Sequence, residues 1–105
     1  MSSTSAGGPP QFLIHDDGDS VAVAVVDLEP GSVHGAVLKT GQRQSFTLKE
    51  RVPLGHKFAV TDLAEGSDLI KYGVRVAVVT KAISVGDYVH VHNIRSARWL
   101  SSRAS

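Results

Sequence analysis

The chain has no cysteine. Disulfides, thiolate nucleophiles, Cys-type zinc sites and iron–sulfur ligation by its own residues are therefore excluded. Charge of one sign is equally scarce: 11 Lys and Arg stand against 10 Asp and Glu, a net charge of +1. So near a balance gives no electrostatic footprint for nucleic acid or an anionic membrane. Long apolar runs are missing too. Val21 to Val26, the longest, has six residues, against roughly 20 needed to cross a bilayer. The first ten residues have neither a basic start nor an apolar stretch, so they do not read as a secretory signal. A cytoplasmic location is the expectation that follows. No segment sustains an apolar stripe of helical period; Phe58 to Leu69 is too interrupted, leaving room for at most one helical turn near Thr61.

What remains is a chain of short apolar runs divided by turn residues. With 105 residues it makes one domain, burying roughly two-thirds of the surface its unfolded form exposes. That permits independent folding and leaves little room for a deep, enclosed catalytic cleft. Hydrophobic residues at 42% and charged ones at 20% are ordinary for a globular protein. Residues 1–10 are Ser, Gly and Pro with almost nothing to bury and read as a disordered leader. Residues 11–95 read as the folded domain, and 96–105 as a polar tail interrupted by Trp99 and Leu100. Within the domain, β-branched residues predict strands over Phe12–His15, Ser20–Asp27, Val33–Leu38, Gln44–Lys49, Phe58–Thr61, Val74–Thr80 and Tyr88–Ile94. The all-apolar Val21–Val26 run predicts a central strand covered on both sides. Many short strands with close turns mean an all-β fold, a small barrel or clip.

One device recurs. A branched aliphatic sits three residues before a glycine in Leu28…Gly31, Val52…Gly55, Leu63…Gly66 and Ile83…Gly86, and an apolar residue follows each turn: Val33, Phe58, Leu69 and Val89. This reads as an anchor, a tight turn whose last position needs positive φ, and re-entry into a strand. Asp27 or Asp62 can cap such a turn through its side chain. The unequal spacings make it a turn device and not a solenoid.

Candidate chemistry is concentrated in a few polar residues. On a continuous strand, His90 and His92 leave the same face with Cα atoms about 6.5–7 Å apart. Imidazoles so spaced can converge on one metal ion or one anionic ligand, with Asn93 as a further polar group. The plainer alternative packs one ring on Tyr88 and leaves the other in solvent. His56 and Lys57 follow a turn glycine, where loop residues on a rigid frame contact ligands; a lysine there offers a carboxylate a charge-assisted hydrogen bond. Lys71 is a similar candidate, with Tyr72-Gly73 expected to turn. His15, Asp16-Asp17, His34 and the hairpin tip Gln42-Arg43-Gln44 read as structural.

Four blocks in order carry a family resemblance: Val52-Pro53-Leu54-Gly55-His56-Lys57-Phe58-Ala59, Asp62-Leu63-Ala64-Glu65-Gly66, Ile70-Lys71-Tyr72-Gly73 and Gly86-Asp87-Tyr88-Val89-His90-Val91-His92-Asn93. Over about Phe12 to Arg95 the chain resembles the N-terminal SAF (β-clip) domain of altronate and galactarate dehydratases. Some relatives encode this domain and the large catalytic part as separate subunits, as in sulfolactate sulfo-lyase. The resemblance implies an SAF-type β-clip acting as a small subunit, inactive alone, that closes over an active site on a large catalytic subunit and handles hydroxy acids. It implies catalytic roles for His56, His90 and His92. Lys57, Lys71, Asn93 and Arg95, the last matching an arginine common in the family, would bind substrate. Iron or manganese would be held mainly by the large subunit, with His90 and His92 as candidate ligands on this chain. The alternative is a non-catalytic SAF-type module that binds a sugar acid or docks a partner. Open clip edges also allow a homo-oligomer in isolation.

Overall fold

A computed structural model describes residues 9–71, 73–90 and 92–96. The expected leader and tail, together with Tyr72 and Val91, lie almost wholly outside these residues. Nine strands are described: β1 (Phe12–Ile14), β2 (Val21–Ala24), β3 (Gly31–Val37), β4 (Arg43–Leu48), β5 (Lys57–Ala59), β6 (Asp68–Lys71), β7 (Val74–Val79), β8 (Tyr88–Val89) and β9 (Ile94–Ser96). No helix occurs among the described residues, near Thr61 or elsewhere, and accordingly none is long and apolar enough to cross a membrane. The fold is all-β, as its composition predicts.

The strands form two sheets. Six lie in the order β4-β3-β1-β2-β5-β8, and three in the order β6-β7-β9. Every pairing is antiparallel except β1 with β3. The larger sheet curls until its two ends meet. Gly86, just before β8, lies so close to β4 that a Cβ there would sit 2.3 Å from the Thr47 carbonyl oxygen. Lys49 and Asp87 pair across the same seam at 3.6 Å. Inside the curl, Phe12, Phe46 and Phe58 meet with ring centroids 5.1–5.8 Å apart, among Ile14, Val37, Leu48 and Val52. On the other face, Val21, Ala59 and Val89 pack against Leu69, Ala77 and Val79 of the smaller sheet. The domain thus has two small cores, one on either side of the larger sheet.

The four glycine turns are the frame. All four glycines have positive φ, and all four re-entry residues, Val33, Phe58, Leu69 and Val89, are buried. The anchors pair in two matching bridges, Leu28 with Val52 and Leu63 with Ile83. Each capping aspartate reaches the opposite turn of its pair: Asp27 accepts from the Leu54 N–H and Asp62 from the Val85 N–H, both at 2.9 Å. The caps therefore join two turns distant in sequence.

Three strand expectations change. Val21–Val26 does not run as one covered strand: β2 ends at Ala24, and Val25 and Val26 are exposed. β6 was not foreseen, because Asp68 and Lys71 break its apolar pattern. Tyr88–Ile94 is two strands in different sheets, divided by a turn that returns the Asn93 N–H to the His90 carbonyl.

Candidate active site

The turn that divides β8 from β9 builds the site. Asn93 is buried, its side-chain oxygen accepting from the His90 N–H at 3.0 Å and its amide donating to the Tyr88 carbonyl at 2.9 Å. Both ends of that side chain are spent on the backbone, so Asn93 positions the imidazoles. His90 and His92 are brought side by side by this turn, with ring centroids 6.4 Å apart. The proximity expected from strand spacing thus arises from a different local geometry.

Two further rings join them. Tyr88 stacks on His90 with centroids 5.5 Å apart and reaches His92 at 6.1 Å. His56 lies 5.7 Å from His90, stacked at 24°, and its Nδ1 is hydrogen-bonded to the Tyr88 hydroxyl. The β5–β8 ladder makes this meeting possible: Phe58 opposes Tyr88, and His56, two residues before Phe58, leaves the same face. His56 and Tyr88 are half-buried, His90 and His92 exposed. The result is a four-ring patch, three imidazoles and one phenol, at the last strand of the larger sheet. Tyr88 is the member that residue patterns missed. Its alternation with His90 was visible, but its pairing with Phe58, 30 residues earlier, was not.

Lys57 is not part of the patch. It opposes Val23 and Val89 and so leaves the other face of the sheet from Phe58 and Tyr88. There it is half-buried; burial, and then the nearby Lys71 ammonium, lower its pKa below the ordinary lysine value. Lys71, at the end of β6, belongs to that second face. Arg95 is exposed on β9, opposite Val78. The expected constellation is therefore divided in two: imidazoles on one face, lysines on the other.

As for metal, among the described residues no three His, Asp or Glu side chains are arranged to hold an ion. His56, whose Nδ1 is hydrogen-bonded to Tyr88, is not arranged with His90 and His92 so that the three could hold one. These described residues do not make a metal site by themselves.

A family model for the SAF domain of altronate/galactarate dehydratases matches residues 10–97, the two sheets and the ring patch together. The chain belongs to this SAF domain family. Relatives include the (2R)-sulfolactate sulfo-lyase subunit alpha of Chromohalobacter salexigens, 41% identical over 90 residues, 84% of this chain and 96% of that protein. The subunit of the same name from Paracoccus pantotrophus is 38% identical over 54 residues, 51% of this chain and 81% of its own length. The altronate dehydratase of Escherichia coli is 41% identical over 78 residues, 74% of this chain but 15% of that enzyme. The SAF domain thus corresponds to nearly the whole of one relative, named as a sulfo-lyase subunit, and to a small part of another, named as a dehydratase.

Proposed function

We propose that this SAF domain is the small subunit of a lyase acting on hydroxy acids, and that it completes an active site on a large catalytic subunit. The four-ring patch carries the reading. Elimination from a 2,3-dihydroxy acid or from sulfolactate breaks the C–H bond beside the carboxylate, and a base takes the proton. The electron pair then expels hydroxide, which leaves as water with one added proton, or sulfite from the neighbouring carbon. The enol that remains relaxes to a 2-oxo acid. Such chemistry needs groups that accept and return protons near neutrality, and imidazole is the side chain suited to this. It also needs donors toward the developing negative charge.

The patch supplies both. In the tautomer whose Nδ1 accepts from the Tyr88 hydroxyl, a neutral His56 carries its proton on Nε2 and can offer it to an oxygen of the substrate. His90 and His92, exposed beside it, can exchange protons with a substrate held by the large subunit or pair with its carboxylate. An exposed patch has no walls to exclude water, so it works when a partner surface covers it.

The test is reconstitution with the large subunit and turnover of a hydroxy-acid panel, following release of water or sulfite. Tyr88→Phe and His90→Ala should each lower kcat by about 10²–10⁴-fold, the range of a lost proton-transfer group, while the complex still assembles. Normal turnover by both variants would remove the patch from the mechanism and leave the domain a binding module.

A further inference from the structure

The face of the larger sheet that the imidazoles leave unused carries an amine in an apolar setting. Lys57 stands on β5 between two cross-strand neighbours, half-buried Val23 on β2 and buried Val89 on β8. The end of β6 is tied to the start of β2 on this side. The Ile70 N–H donates to the Ser20 hydroxyl at 3.0 Å, and the Ile70 carbonyl accepts from the Ser20 N–H at 2.8 Å. Lys71 follows Ile70 and lines one groove together with Val23. Ladder and tie therefore set two lysines near each other beside valines.

Other lysines are placed differently. Lys39 and Lys49 extend into solvent and pair with Asp16 at 3.3 Å and Asp87 at 3.6 Å, and Lys81 is exposed. Among the described residues, no carboxylate lies within ion-pair distance of the Lys57 ammonium. Burial first, and the Lys71 ammonium second, hold its pKa below the ordinary lysine value. Asp19 and His15, the other titratable groups lining the groove with Val23 and Lys71, do not reverse that direction. A lysine that is partly desolvated and set near a second cation keeps more of its amine neutral, the form that attacks a carbonyl carbon.

We infer that Lys57 is an imine-forming amine that takes the carbonyl group of a small 2-oxo acid. The class of ligand rests on the reading that the domain serves a lyase releasing such acids; the reactivity of the amine rests on its placement alone. In the step, the neutral Nζ adds its electron pair to the carbonyl carbon, the carbonyl oxygen gains a proton and the nitrogen loses one. The nitrogen pair then expels that oxygen, which takes a further proton and leaves as water. The nitrogen sheds its remaining proton, and a C=N bond is left. Solvent water supplies and takes up the protons, and no oxidant or reductant is needed. The adduct sets a carboxylate on the face away from the rings, so the imidazoles stay open.

Sodium pyruvate with sodium cyanoborohydride, applied to the full chain at pH 7 and followed by peptide mapping in a mass spectrometer, tests this. The hydride fixes each imine as a carboxyethyl group on its lysine. Lys57 should be labelled at least about threefold faster than Lys81, and the gap should close as pH approaches the ordinary lysine value of 10.5. Lys57→Arg should lose the label while circular dichroism shows the fold intact. A smaller ratio, or labelling of Lys81 ahead of Lys57, overturns the inference. Propanal, which has the carbonyl without the carboxylate, checks the ligand class. If propanal prefers Lys57 and pyruvate does not, the amine is reactive but the 2-oxo acid is the wrong ligand, and the inference falls. The large subunit is absent from this assay, so a failure here leaves the small-subunit reading standing, and only reconstitution decides that.

Discussion

Gly86 and Gly66 allow the closure of the larger sheet to be weighed by experiment. Their backbones are nearly alike, with φ of 90° and 88°, so alanine at either position carries the same conformational penalty, about 1–2 kcal/mol. Their surroundings differ. A Cβ on Gly66 meets nothing within 4 Å, whereas one on Gly86 would lie 2.3 Å from the Thr47 carbonyl oxygen. That oxygen is backbone and cannot swing aside, so the seam between β4 and β8 must open. Overpacking of this kind adds about 1–3 kcal/mol. Gly66→Ala should therefore cost about 1–2 kcal/mol and Gly86→Ala about 2–5 kcal/mol. Urea unfolding followed by circular dichroism, with a shared m-value, measures the difference. In thermal melts it should appear as an extra fall in Tm of roughly 5–20 °C for Gly86→Ala. Equal losses within about 0.5 kcal/mol would refute the reasoning, since the seam would then bear no weight.

Three further outcomes are expected. Leu28→Ala, which empties a fully buried anchor bridged to Val52, should cost about 2–5 kcal/mol in urea unfolding, and combining it with Val52→Ala should cost less or more than the two alone, because contacting residues couple. Asn93→Ala leaves the His90 N–H and the Tyr88 carbonyl without their side-chain partners; about 1–3 kcal/mol should be lost, and ring-current shifts between His90 and Tyr88 should shrink in NMR spectra. Lys57 binds its proton less tightly folded than unfolded, so its destabilising effect is full at neutral pH and fades as pH rises from its lowered pKa to the ordinary 10.5. Lys57→Met should accordingly raise Tm at pH 7 and flatten the alkaline part of the Tm–pH curve, and a variant whose Tm rises with pH as steeply as wild type would show that this lysine is not desolvated.

The turn device was legible because it is local. An anchor, a turn glycine and an apolar re-entry fall within six or seven residues, and each of the four copies folds as its own residues require. The site was legible only in part. His90 and His92 are near enough in the chain that any compact conformation brings them together, whether strand or turn. The Asn93 side chain selects the turn by satisfying two backbone groups that a continuous strand would have paired with a neighbour. No local pattern announces that choice.

By itself the chain of residues determined the class of the fold. Dense β-branching, frequent turns and no helical period leave no other way to bury 42% hydrophobic residues in so short a domain. The tertiary structure decided which side chains act together. Whether His56 and Lys57 share a pocket depends on which strand β5 pairs with and in what register, and side chains on neighbouring residues of a strand point to opposite faces. The pairing of Phe58 with Tyr88 sends His56 to the imidazoles and Lys57 to the other face of the sheet. Such a contact between residues 30 apart is set by the packing of two cores against one sheet, and leaves no trace in the order of residues around it.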